Sequence, residues 1–285
     1  MIVSTAAQAQ SVLPSINFKV GPDRLGDFLV RAQEWVSAHI IGYDLESALE
    51  EPVATGQPDE LSTLRSLVVR VICEHAYLAA VPEMDLQLSE AGFVVQNNER
   101  MSPASQQRVD RLVENLKDRL DADCDALVKY LLDNSSEGKD YENWRGTPQF
   151  AYLTEAFIPT MAIMRQNCRQ CPVAHWSEFH DLIPQMATSL RGTVADYISV
   201  DEVDELLELY RDQELLDVHK KALRLVRFAV MAEVAGLHDN AVHFAIEARN
   251  WMLRHEGDFP AFVESDRYSL PKPFNLGDGT VANLL

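Results

Sequence analysis

One short run of this sequence has the residue types and spacing of a metal site. Cys168 and Cys171 are separated by two residues, and His175 and His180 follow them. Two thiolates and two imidazoles form a tetrahedral zinc set where a fold gathers them. The step from Cys171 to His175 is much shorter than in a usual finger, and Trp176 and Phe179 interleave the histidines as core positions would. The competing reading is a pair of reduced thiols in a turn between helices. A dithiol redox role would need the pair at a helix start after a strand, where the helix dipole lowers a thiol pKa. Here the pair follows a helical pattern.

The remaining candidates point towards structure. His39 and His75 fall on apolar faces of helical patterns and read as hydrogen-bonded core residues; the other histidines are His219, His238, His243 and His255. The sequence has no HExxH, no paired ExxH of a helical di-iron site, no G-x-S-x-G, no Walker-type loop and no GxGxxG. Glu202 with Glu205 and Asp201 with Asp204 lie on a helix whose other face is apolar, and so read as solvated surface. No catalytic residue, resident metal or cofactor is expected, and the protein is not expected to be an enzyme.

The bulk composition narrows the partners. The chain has 285 residues, 47% apolar and 24% charged, which suits a packed globular protein. A formal charge of −19 disfavours non-specific binding to nucleic acid or anionic membrane, which depends on clustered Lys and Arg. The densest basic run, His219-Lys220-Lys221 with Arg224 and Arg227, is one helix face. No secretory signal is read in the first six residues, and no apolar run approaches the roughly eighteen residues of a membrane helix. Cys73 and Cys124 sit on apolar helix faces, which suits a reducing compartment. A cytoplasmic location is expected.

Helices must position all of these groups. Apolar residues recur at helical spacing from Leu25 to Ile40, with a start at Pro22-Asp23 and a stop at Gly42. A short helix over 44–50 follows. The pattern over 58–81 is apolar on more than one side, as in a central helix, and Pro82 is expected to stop it. Ser102 and Pro103 open the longest pattern, Val109 to Leu131. Pro159 and Pro184 fall inside helical patterns, predicting bent helices or pairs of shorter ones. Ser199-Val200-Asp201-Glu202 is a capping box. Ala232 to Ala248, turning at Gly236, reads as one local helical hairpin, because no second copy recurs at a period near 34 residues.

The period changes clearly in one place. Leu86 and Leu88, then Phe93 and Val95, alternate about Gly92, which predicts a small β-hairpin or extended segment near 84–97. Such an element is marginal alone and must lean on the bundle or on a neighbouring chain. The expected fold is therefore mainly α, a bundle of about eight to ten helices in two packed halves. The halves are 1–133, with the arm and hairpin, and 147–285, with a packed extended tail; 134–146 is the polar linker.

The string Leu88-Ser89-Glu90-Ala91-Gly92-Phe93-Val94-Val95, then Asn97-Asn98, Met101-Ser102-Pro103-Ala104-Ser105 and Arg108-Val109, resembles a signature of an uncharacterised protein family encoded largely in bacterial prophages and phages. Lesser likenesses are Ala32-Gln33 with Ile40-Ile41-Gly42, Ala156-Phe157-Ile158-Pro159, and Phe259-Pro260-Ala261-Phe262 with Ser265. The resemblance implies no assigned catalysis and a virion or head-to-tail connector role. The expected function is a non-enzymatic phage structural or assembly protein, with protein partners that include other virion proteins or further copies of itself. The alternative is a cytoplasmic helical adaptor. Leu86, Leu88, Gly92, Phe93, Val94 and Val95 are the interaction candidates.

Overall fold

The computed structural model describes residues 1–3, 6–13, 25–51, 59, 61–85, 87–89, 92–94, 106–136, 138–168 and 173–268. It is mainly helical and divides into two compact units, 1–151 and 152–285. Among the described residues, no helix is long and apolar enough to cross a membrane.

Unit 1 contains α1 (Ala6–Val12), α2 (Gly26–Val36), α3 (Tyr43–Glu50), α4 (Ser62–Asp85) and α5 (Gln106–Asp133). Helix α4 is central, with α1, α2 and α5 all packed on it. Leu64, Val68, Val71 and Ile72 are fully buried on it, and Cys73, Ala76 and Ala80 nearly so, which explains a pattern with no single polar face. Each fully buried large aliphatic there contributes about 1.5–3 kcal/mol. Pro82 does not stop this helix; the backbone stays helical to Asp85. A proline so close to a helix end forfeits one i−4 bond and leaves the final turn otherwise intact. The expected start at Pro22-Asp23 and the cap at Ser102-Pro103 lie outside the described residues.

The turn from α2 into α3 is unusual. Residues 37–41 form a π turn, closed by the Gly42 N–H on the Ser37 carbonyl at 2.9 Å. Gly42 then takes φ 80° and ψ 162°, a region essentially reserved for glycine. The carbonyls of this helix end lack helical donors. Trp144 Nε1 donates to the Ile40 carbonyl at 2.8 Å and Gln149 Nε2 to that of Ala38 at 3.0 Å. Residues 134–146 therefore do not behave as a linker. They carry a 3-10 turn, Glu142–Gly146, with Tyr141 and Trp144 buried, and unit 1 extends to Ala151. The division falls inside α6 (Pro148–Thr154).

Unit 2 contains α7 (Met161–Asn167), α8 (Trp176–Ser189), α9 (Ala195–Ile198), α10 (Val200–Asp212), α11 (Asp217–Val234), α12 (His238–Arg254) and α13 (Pro260–Glu264). Pro159 separates α6 from α7, whereas Pro184 stays inside α8. The segment before α7 is buried and turns at Phe157, whose φ is 61°. Arg227 Nε donates to the Phe157 carbonyl at 2.7 Å, and the Phe157 ring meets Tyr210 edge-on at 5.7 Å. Helices α11 and α12 form a hairpin that turns at Gly236, φ 74°. Buried Ala229, Ala241, Ala245 and Ala248 allow their close approach.

A three-residue antiparallel ladder joins β1 (Gln87–Ser89) to β2 (Gly92–Val94), with Leu88 opposite Phe93. It adds no sheet layer to a helical fold. Its side chains, together with residues 86 and 95–105, lie outside the described residues, so no packing contact supports a hairpin leaning on the bundle.

Candidate functional site

The metal-like run is spread along the start of unit 2. Cys168 follows α7 and is half-buried, His175 is the residue that opens α8, and His180 lies one turn further on. Glu178 turns back to accept the N–H groups of Ala174 at 2.8 Å and His175 at 3.4 Å. The His180 ring packs between Tyr152 and Trp176 at 4.7 and 5.4 Å. Among the described residues, Cys168, His175 and His180 are not gathered within ligand distance of one another. Cys171 lies outside the described residues. Of the interaction candidates, Leu88, Gly92, Phe93 and Val94 fall on the ladder, and Leu86 and Val95 lie outside the described residues.

The core histidines use their rings for packing. Trp35 stacks on His39 at 5.0 Å and on His75 at 4.6 Å, and His39 Nδ1 lies 2.7 Å from the Trp35 carbonyl. Burial, and then the neighbouring His39, lowers the His75 pKa, which favours a neutral ring. Burial raises the Cys73 thiol to about 12 and lifts that of Cys124 as well, so neither is a nucleophile at neutral pH.

Two buried carboxyls were invisible as such in the sequence. Glu74 on α4 is 1% exposed and pairs with Arg119 of α5, Nη2 to Oε1 at 2.6 Å. That contact is a close charge pairing rather than an aligned hydrogen bond. Burial, then the adjacent Asp123 charge, raises Glu74 to about 7 against the pull of Arg119. Asp123 is itself paired with Arg70 at 3.2 Å. Arg119 also donates to the Val12 carbonyl at 3.2 Å, so the cluster ties the end of α1 to α5. The spacing of Leu67, Val71 and Glu74, i, i+4 and i+7, is the one sequence sign that a carboxyl lies on an apolar face.

Glu202 is not the solvated surface residue its acidic neighbourhood suggests. It is 1% exposed, and burial raises it to about 8. Only half of the capping box forms: Ser199 Oγ accepts the Glu202 N–H at 3.1 Å. The Glu202 carboxyl instead accepts the Phe262 N–H at 2.9 Å, and Glu205 accepts that of Ala261 at 3.2 Å. The first turn of α13 has free N–H donors beyond Pro260, and two carboxyls from α10 cap them. Asp201 and Asp204 remain exposed. Beside this latch, His219 Nδ1 accepts the Leu216 N–H at 3.2 Å, which leaves Nε2–H to donate to the Asp258 carbonyl at 2.9 Å. These ionisable groups join one helix to another.

Unit 2 also has a half-open cleft of about 800 Å³ between the end of α7 and the turn of the α11–α12 hairpin. Phe228, Met231 and Phe244 give it apolar walls, and Arg165 and Asn240 give it polar edges. Such a cleft has the size and character to hold an apolar body with a polar end. Cys168 is the one member of the metal-like run that lines it among the described residues.

Residues 22–153 match DUF6712, a family of unknown function. The match covers under half of the chain and ends within α6. No curated protein and no solved structure gives a significant match.

Proposed function

We propose that this protein is a non-enzymatic assembly protein of a phage or prophage, connector-like or otherwise virion-associated. The observation that carries the reading is how its ionisable groups are used. Glu74 with Arg119, Glu202 with the α13 backbone, and His219 with Asp258 each hold one element against another. Groups used in this way build a scaffold. The resemblance of residues 88–109 to a phage-encoded family supports the same reading, and those residues fall within the stretch that matches DUF6712. In this reading the segment at 84–97, with Leu86, Leu88, Gly92, Phe93, Val94 and Val95, adds its edge to a neighbouring subunit by strand pairing.

The test is light scattering on the full chain over a range of concentrations, with binding to a portal protein and neighbouring virion proteins assayed in parallel. Self-association into a ring, or retention on a virion protein, is expected, and deletion of residues 86–98 should abolish it while helix content survives. A strict monomer that ignores virion proteins would favour the adaptor reading instead.

A further inference from the structure

We infer that the chain is a tandem duplication, two diverged copies of one helical module, each with its own cooperative core. The main helices follow the same order in both copies. A seven-residue helix comes first, α1 in one and α7 in the other. A long helix ending in a π turn follows: α2 with residues 37–41, and α8 with residues 190–194. A sharp corner leads into α3 or α10, and then into the long pairs α4–α5 and α11–α12. Each copy closes with a 3-10 turn and a short helix begun by proline, at Pro148 in α6 and Pro260 in α13. The second copy differs by one extra turn, α9, between the π turn and the corner, and by a direct turn from α11 to α12 where the first copy has the β1–β2 ladder between α4 and α5.

The packing partners also recur. In unit 1, α1 and α2 pack on α4, α4 packs on α5, and α3 packs on the π turn. In unit 2, α7 and α8 pack on α11, α11 packs on α12, and α10 packs on its π turn.

Helical pairs are common, and order alone could arise by convergence. The corner could not so easily. π turns account for well under 1% of residues, and the backbone region that follows is essentially glycine-only. Yet Gly42 lies at φ 80°, ψ 162° and Ser199 at φ 82°, ψ 157°, each at the same step of the order. The next residue in each copy is an exposed apolar one, Tyr43 and Val200. The match over residues 22–153 covers the first copy from α2 onward and stops before the second, which fits a family defined by a single copy.

A crystal structure of the full-length chain tests this, with residues 6–154 and 161–264 superposed as separate bodies. The helices should overlay in unpermuted order, with the Cα atoms of Gly42 and Ser199 within about one residue rise, roughly 1.5 Å. Overlay only with permuted connections would overturn the duplication. Hydrogen exchange on the full chain gives a second readout. Leu127→Ala should lower protection in α2, α4 and α5 alone, and Met252→Ala in α8, α11 and α12 alone. Uniform loss from either variant would overturn the two separate cores.

Discussion

The Tyr152 hydroxyl donates to the His180 carbonyl at 2.9 Å. That carbonyl lies four residues before Pro184, which has no N–H to give it. Tyr152 therefore supplies from outside α8 the hydrogen bond that proline removes, and its ring settles on His180 at 4.7 Å. This is how α8 keeps a proline in its interior.

Tyr152→Phe should destabilise unit 2 by about 1 kcal/mol, the net worth of an ordinary hydrogen bond. In a Pro184→Ala background the loss should shrink, because the new N–H can reach the same carbonyl. Urea denaturation of the four chains closes the cycle. Equal losses in both backgrounds would show that the hydroxyl does not replace the missing donor.

Gly42 and Ser199 should respond in opposite directions. Gly42→Ala places a side chain in a backbone region that costs roughly 1–3 kcal/mol. Its Cβ would also lie 3.3 Å from Gln149 Oε1. Ser199→Gly relieves the same backbone strain and loses only a few tenths of a kcal/mol of capping, so it should stabilise. Thermal unfolding of the two variants reads the signs, and a destabilised Ser199→Gly chain would contradict the strained corner.

Trp144→Phe should destabilise by roughly 2 kcal/mol, since it shrinks a fully buried ring and strips the Ile40 carbonyl of its donor. Gln149→Ala should cost less, because its bond to Ala38 is exposed to water. Denaturant midpoints for the pair would rank the two anchors of the α2 corner.

Stability should fall as pH rises from about 4.5 to about 8. Burial raises Glu202 from its ordinary 4.5 to about 8, with the Glu205 charge adding to it and the Phe262 N–H opposing it. Glu74 rises to about 7. In that window the unfolded chain has released protons that the folded chain retains, so the slope is negative, up to about 1.4 kcal/mol per pH unit for each group. Below 4.5 the full contribution is present. Glu202→Gln and Glu74→Gln should each flatten the fall. Stability that climbs across this range would mean that neither carboxyl holds its proton.

Much of the fold was legible because burial imposes helical spacing on apolar residues. The central character of α4 is an example: Leu64, Leu67, Val68, Val71 and Ile72 leave it no single polar face. The candidate site was far less legible. Glu202 looks like surface in a run of acids, and only the arrival of α13 from sixty residues away makes it a buried cap. A duplication of the proposed kind leaves no short-period signal in the sequence, because what the two units share is backbone order rather than residues: Gly42 and Ser199 take the same conformation with different side chains.

The sequence by itself determined which segments are helical and which faces are apolar, since both follow from local spacing and the transfer of side chains out of water. Tertiary structure decided the proline outcomes. Pro82 lies near a helix end, Pro184 has Tyr152 to serve the carbonyl it strands, and Pro159 follows a buried turn at Phe157 held by Arg227. A proline always removes the same donor, but whether a helix continues past an interior one, as α8 does at Pro184, depends on a distant side chain that local spacing does not encode.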